Sequence, residues 1–572
     1  MGARRAEHPL RSAAGLQPLS GQDRLDFARF TALSRRHRGS NCQHRCGAFD
    51  EEQTGASDHH AGATGGDASF QGRWQMKHNC ALLLAFLLGF APRVAVAKSL
   101  AVSAAADVTP VFVDEVYRAK QPPPAKPKAV ASPKPEVFTL KNGIEVVLVE
   151  RHQLPTVSME LQLIGGSRLD PADKRGRASA CTQLWGDGSD KHDKLQLAEL
   201  LADIGSSLGA SATTEFTSIE MATLSRNLVP TLDLFAEVLL HPGLRLDELQ
   251  RIVNRRRAAL LAAKSNPAQV ASRLIGAIAY GPANPRGWLT TDASLAALTV
   301  ADCRAFADGH GPTGATLYVV GDMTRAQVTD HLERRLGGWR ALSHTDAPTA
   351  VAVPMAGRLL LADVTGAEQA VVAVFHAGPG RKAADFDATQ VMISILSAGF
   401  SSRINLNLRE KHGWAYGAGG SFGYARAGSL LAIQASVRPD ATAASVTEIL
   451  REMTLMRQAE PTSDELQREQ QGAILSLPAR WATGRSMGAT FQSLRYYGLP
   501  LTDFDGFVAR VQAVDGQAVL AAAQAHVQPT AAQVIIVGDL SKHKAQIEAL
   551  LADGPLKGAT VVRLDGDARI IP

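Results

Sequence analysis

Hydrophobic and polar positions set out the chain before any motif does. FTLKNGIEVVLVERHQLPTVSMELQLIGGS (138–167) alternates with period two and is rich in β-branched residues, which predicts two strands, with a turn at Asn142-Gly143 ahead of the first. The period then lengthens. Apolar residues recur at three- and four-residue intervals over 195–204, 229–240 and 246–264, as on helices with one buried face. The last of these aligns Leu246, Leu249, Ile252, Val253, Leu260 and Leu261 in one stripe. Asp247 and Glu248 fall in its first turn, where the helix dipole favours acids. A second strand-rich run, 358–375, starts the cycle again.

The cycle is a duplication. PTGATLYVVGDMT (312–324) is echoed 217 positions later by PTAAQVIIVGDLS (529–541), with His310 and His526 ahead of the respective prolines and a helical pattern after each. The expected fold class is therefore α+β: two homologous domains, each an antiparallel sheet packed with helices. Their bounds are read as 137–340 and 358–555, joined by 341–357 and followed by a tail, 556–572. PPPAKPKAVASPKPE (122–136) closes a Pro/Lys-rich linker that occupies 98–136.

Composition changes the picture at the N-terminus. The 572 residues carry a formal charge of +5. Residues 1–97 hold 12 Lys+Arg against 8 Asp+Glu, leaving 48 against 47 for the rest. A nucleic-acid partner has no electrostatic basis in so balanced a body. Residues 1–75 are polar and aperiodic and read as a disordered or spurious extension. MKHNCALLLAFLLGFAPRVAVA (76–97) has a basic start, a short apolar run and an Ala-Val-Ala site. That is the layout of a secretory signal peptide, and it predicts a start at Met76, export to a periplasm and no stable membrane span. Cys181 and Cys303 alone would remain after cleavage, too few for a disulfide framework. Cys42, His44 and Cys46 lack a second ligand pair and fall in the extension, so they read as chance.

The chemistry centres on GRASACTQLWGDG (176–188). A helix here sets Ser179, Thr182 and Gln183 on one face. GSSLG (205–209) fits a nucleophile elbow in letters only, because a helix and not a strand precedes it, and Gly205 reads as a helix C-cap.

In the second half SAGFSSRINLNLREKHGWAYGAGGSF (397–422), SLPARW (476–481), YYGLP (496–500) and VIIVGD together resemble the pitrilysin/insulinase family of zinc metallopeptidases. The resemblance runs over about 136–555 and implies a half-clamshell of two domains. Catalytic members carry G-x-A-H-x-x-E-H on a helix, with two zinc-binding histidines, a glutamate base, and a further glutamate ligand some 75 residues on. This chain keeps GSRLDP (166–171) and Gly176-Arg177-Ala178, then has Ser179, Thr182 and Gln183 in place of His, Glu and His. RIVNRRRAALLAAK (251–264) offers Leu260 or Leu261 near the third ligand's position. Hydroxyls and amides are poor zinc donors, and Thr182 cannot serve as a base near neutral pH. Cys181 is a single thiol, and His192 and Asp193 read as a solvated loop. The expectation is no catalytic residue, and no metal or other cofactor bound by this chain.

The resemblance further implies that the second half keeps a substrate-facing pair. In two-chain relatives the partner of the zinc subunit supplies an Arg and a Tyr, and these match Arg409 and Tyr416. The alternative is that Arg409 pairs with a neighbouring acid and Tyr416 is a packing residue. The functional expectation is a non-catalytic, peptide-binding subunit that pairs with a catalytic, zinc-bearing homologue, with the zinc held in that partner. A peptide-binding or assembly scaffold unconnected with a peptidase is the second reading, and an active peptidase with unusual ligands is the third.

Overall fold

The turn at Asn142-Gly143 joins β1 (Glu136–Thr139) to β2 (Glu145–Glu150) in the computed structural model, which describes residues 131–340, 342 and 357–572. The expected N-terminal extension and signal peptide, and most of both expected linkers, lie outside these residues. β3 (Thr156–Ile164) follows, so the opening run holds three strands where the alternation predicts two. β1 buries only Phe138, and one inward residue makes no readable period. The chain continues through α1 (Arg177–Gly186), α2 (Lys194–Asp203), β4 (Ser207–Ala212), β5 (Phe216–Leu224), α3 (Leu228–Leu240), α4 (Leu246–Lys264), α5 (Pro267–Tyr280), α6 (Val300–Asp308) and β6 (Thr316–Gly321). The sheet order is β1-β2-β6-β3-β5-β4.

The second half repeats the plan. Its elements include β7 (Arg358–Asp363), β8 (Ala370–Gly378), β9 (Ala415–Ala425), β10 (Gly428–Val437), α7 (Ser463–Ser476), α8 (Gly484–Tyr496), β11 (Gln533–Gly538), β12 (Thr560–Leu564) and β13 (Ile570–Ile571). They form a sheet ordered β13-β12-β7-β11-β8-β10-β9. The order β2-β6-β3-β5-β4 thus recurs as β7-β11-β8-β10-β9, and the echoed segments become the inner strands β6 and β11. The sheets are mixed and not antiparallel: β2 and β6 run parallel, as do β7 with β11 and β12 with β7. Helices return the chain before β6 and before β11, which permits the parallel pairing. β11 is buried at every residue, as an inner strand covered on both faces should be. The stretch 556–572, expected to be a tail, instead supplies β12 and β13. β12 is five residues long and fully buries only Leu564, so it offers little periodicity to a hydrophobic reading.

Each half lends a helix to the other. On α5, Val270, Leu274 and Ile275 pack on Leu360, Phe375 and Ile535 of the second sheet. On α8, Met487, Phe491 and Leu494 pack on Val147, Tyr318 and Val320 of the first. The halves also share a buried ionic cluster. Glu215, 2% exposed, accepts hydrogen bonds from Arg286 and from the Tyr496 hydroxyl, each at 2.8 Å. Arg426 reaches its other oxygen at 3.1 Å and stacks on the rings of Phe216 and Tyr496. Glu215 and Arg286 belong to the first half, Tyr496 and Arg426 to the second.

Candidate functional site

Local chemistry fixes α1. Asp170, buried, accepts from the amides of Gly176 and Ala178 at 2.8 Å each, so a carboxylate meets the helix N-terminus. Gly176 caps the helix with φ +98°, and a Cβ there would meet Thr290 at 2.8 Å. The helix buries Ala178, Ala180, Cys181, Thr182, Leu184 and Trp185, and it packs on β4 with Gly186 against Ala210. Cys181 is disulfide-bonded to Cys303 of α6, 122 residues away, with the Cα atoms 4.8 Å apart. Two cysteines are too few for a disulfide framework, yet this pair ties α1 to α6. Closing a loop of that size stabilises a fold by ~4–5 kcal/mol in the chain-entropy picture.

Ser179 and Gln183 face α4, and there the structure adds a residue the sequence reading missed. Arg256 donates to Ser179 Oγ at 2.8 Å, to the Ser179 carbonyl at 2.9 Å and to Gln183 Oε1 at 3.0 Å. A guanidinium thus sits between the two side chains that stand where the resemblance calls for zinc-binding histidines. Burial and the adjacent Arg255 charge lower the Arg256 pKa from its ordinary value, though a guanidinium stays charged in proteins. Thr182, at the base's position, is 0% exposed and its hydroxyl has no hydrogen-bond partner. Leu260, one turn beyond Arg256, is buried, while Leu261 is 72% exposed.

Zinc does not fit this donor set. A hydroxyl and an amide replace two imidazoles, an aliphatic side chain replaces the carboxylate, and a fixed cation already lies between α1 and α4. Among the described residues no group of three or more His, Cys, Asp or Glu side chains is placed to hold a metal. His192 and Asp193 are not the solvated loop expected: His192 bonds Glu237 at 2.8 Å and Asp193 caps α2. Ser207 opens β4 after a helix and a Gly205 turn with φ +57°, the reverse of a nucleophile elbow. Among the described residues β4 is the last strand of its sheet, a position where backbone groups can pair with an extended chain.

The second half sorts its long motif into inner and outer residues. Within it, Ser397 bonds the Gly420 carbonyl, Asn405 bridges the Phe400 carbonyl and the Ala418 amide, and Asn407 holds Glu448 and Glu452. Gly420 is required by close approach, since a Cβ would lie 2.4 Å from the Ala432 carbonyl oxygen. Arg403 clamps Glu465 with two bonds of 2.7 and 2.8 Å. This pairing pulls the Glu465 carboxyl down to about 2. A depressed carboxyl contributes stability that is complete above its unfolded value, near 4.5, and is lost as pH falls through about 2. Glu465→Gln is accordingly expected to lower the urea midpoint at neutral pH and to match the parent protein near pH 2. A constant deficit at all pH values would show that the pair's charge contributes nothing.

Outside that frame stand the two predicted site residues. Tyr416, at the start of β9, is 90% exposed, so it is not a packing residue. Arg409 is partly exposed, 3.3 Å from Glu410, with its guanidinium over the Phe400 ring at 4.5 Å. The pairing with a neighbouring acid considered for it is present, but the acid is the adjacent, exposed residue. No hydrogen bond joins Arg409 to Tyr416 among the described contacts. Phe400, under the Arg409 guanidinium, is itself exposed, and His412 stacks on Trp414 at 4.0 Å.

Sequence profiles match in two places, Insulinase (Peptidase family M16) over residues 145–286 and Peptidase M16 inactive domain over 298–473; together they span more than half of the chain. A probable mitochondrial-processing peptidase subunit beta from Arabidopsis thaliana is 29% identical over 132 residues, 23% of this chain and 24% of that protein. The chain therefore spans about a quarter of that relative's length. Among solved structures, the peptidase M16 inactive domain from Pseudomonas fluorescens superposes with a TM-score of 0.64 at 22% identity, over 71% of this chain and 98% of the other. A protease from Helicobacter pylori gives 0.64 at 20%, over 71% and 99%. The periplasmic protease PqqL from Escherichia coli gives 0.59 at 17%, over 72% of this chain and 46% of PqqL. At these identities the structural likeness shows the fold.

Proposed function

We propose, from the premise that this chain belongs to the insulinase family of M16 peptidases, that it is a non-catalytic, peptide-binding subunit of a metallopeptidase pair. One observation carries the reading: Arg256 occupies the space between Ser179 and Gln183, while Arg409 and Tyr416 stay at the surface. The zinc and the base then belong to an H-x-x-E-H homologue. Arg409 holds a peptide carbonyl or carboxylate, and the Tyr416 hydroxyl donates to the oxyanion that forms at the scissile carbonyl. Export to a periplasm accords with the signal layout at 76–97. The Cys181–Cys303 bond supports an oxidising compartment. No helix among the described residues is long and apolar enough to cross a membrane.

The test is reconstitution. The purified chain alone is expected to be metal-free and inert towards peptides, and to promote cleavage when mixed with the zinc-bearing homologue. Tyr416→Phe is expected to lower kcat/KM of the mixture by ~100-fold, the effect of losing one oxyanion donor, and Arg409→Ala to do so comparably. Stoichiometric zinc with cleavage by the chain alone would overturn the reading. A stable but inert complex would favour the scaffold reading.

A further inference from the structure

We propose that Phe400 is a positioning residue, whose ring holds the Arg409 guanidinium in place for a peptide. The inference rests on the reading of Arg409 as a peptide-binding group and adds the side chain that sets its position. It starts from an aromatic with almost nothing to pack on. Phe400 is 69% exposed, so burial explains little of its presence. The Arg409 guanidinium, 4.5 Å from the ring centre, is the one ring or charge contact it makes among the described residues. Its backbone, by contrast, is fastened at three consecutive carbonyls. The Ser402 amide donates to the Gly399 carbonyl at 3.1 Å, Asn405 Nδ2 to the Phe400 carbonyl at 2.6 Å, and Arg468 to the Ser401 carbonyl at 3.3 Å. A side chain on a pinned backbone is limited to a few staggered rotamers, so the fold sets the direction of the ring.

The same frame reaches Tyr416. Asn405 is buried, and its Oδ1 accepts from the Ala418 amide at 2.9 Å, two residues along β9 from Tyr416. One amide side chain thus fixes both the platform under Arg409 and the start of the strand that carries Tyr416. Arg409 has need of a platform. Its one charged partner among the described residues is the adjacent, exposed Glu410, and an exposed ion pair of that kind orders a long side chain weakly. An arginine also has several torsions to order before it can grip a ligand. A ring takes up the flat face of a guanidinium and leaves its rim of N–H donors for a ligand, whereas a second carboxylate would consume them. The contact is worth ~3-fold in population at a wet surface and about thirtyfold once a ligand excludes water.

The test is a double-mutant cycle in the reconstituted pair. Phe400→Leu keeps an apolar side chain, and its unfolding midpoint is expected to equal the parent's, because so exposed a ring adds little to the core. It is expected to raise KM about tenfold and to leave kcat near the parent value, since the ring acts on the binding of peptide through Arg409. Phe400→Tyr keeps the ring and is expected to match the parent. In an Arg409→Ala background Phe400→Leu is expected to cost nothing further, because the platform then has nothing to hold. Additive losses would show that Phe400 itself touches the peptide or the partner subunit, and would overturn the proposal, as would an unchanged KM. A second measurement needs this chain alone: the NMR signals of the Arg409 side chain, located by their absence in Arg409→Lys. The ring current of Phe400 shifts them upfield, Phe400→Leu is expected to return them to the position of a solvent-exposed arginine, and Phe400→Tyr to leave them in place. Signals that stay put in Phe400→Leu would overturn the positioning role whether or not the mixture cleaves. If the parent mixture is inert, a shift that Phe400→Leu abolishes still supports the ring as the holder of Arg409, and it is the peptidase reading that fails.

Discussion

Glu215→Ala is expected to destabilise the protein by ~3–5 kcal/mol, because it strands two partly buried guanidiniums at once. Arg286 and Arg426 are each 23% exposed and both converge on this carboxylate. Tyr496 loses its acceptor in the same stroke. Aliphatic truncations in the core of either half's own cluster also cost much, but those act within one half. Glu215 acts between halves, since it joins a turn of the first to β9–β10 and α8 of the second. Glu215→Gln keeps an oxygen for Arg286 and Tyr496 while removing the charge, so its cost is expected to fall well below that of the alanine variant. Urea unfolding of the two variants separates the effects of charge and hydrogen bond. A loss under about 1 kcal/mol for Glu215→Ala would mean that the exchanged helices α5 and α8 hold the halves together without help.

What the sequence made legible follows physical range. α4 was read at its observed bounds because a nineteen-residue amphipathic pattern carries several turns of the same signal. The duplication was visible as a repeated strand with its flanks, and it became the inner strands of two sheets of matching order. β1, at a sheet edge, and β12, next to the edge strand β13, escaped because a strand of four or five residues with little burial has almost no periodicity to show. The parallel pairings escaped because alternation reports which face is buried and not which way a neighbour runs. At the site the loss of the zinc ligands was plain, being a matter of side-chain chemistry at fixed spacing. Arg256 was hidden in Arg255-Arg256-Arg257, which reads as a solvated run. Its position one turn before Leu260 was the available clue, since residues i and i+4 share a helix face. The Cys181–Cys303 bond is likewise a long-range fact, set by α6 packing on α1 and by nothing in the local sequence.

Writing the zinc motif back into α1 is expected to fail while Arg256 remains. In Ser179→His/Thr182→Glu/Gln183→His the two imidazoles regain suitable nitrogens, but the guanidinium still has the Ser179 backbone carbonyl to hold it. Two unit charges 4 Å apart at an effective dielectric of about 20 differ by roughly 4 kcal/mol from separated ones, and a divalent ion doubles that. Zinc binding to a complete protein site is worth ~10–16 kcal/mol, so a repulsion of about 8 kcal/mol removes half of it or more. The third ligand is absent as well, with Leu260 on the facing turn of α4. The introduced carboxylate at position 182 enters a fully buried place, where an unpaired charge is costly, on the helix that Arg256 already holds through Ser179 and Gln183. Adding Arg256→Ala and Leu260→Glu removes the cation and supplies the missing oxygen ligand. The five-site variant is expected to retain about one zinc per chain after dialysis, with a midpoint of unfolding that falls on chelation, whereas the three-site variant retains none and ignores the chelator. Zinc bound stoichiometrically by the three-site variant would show that Arg256 yields its place freely, and that the loss of metal in this chain lies in the ligands alone.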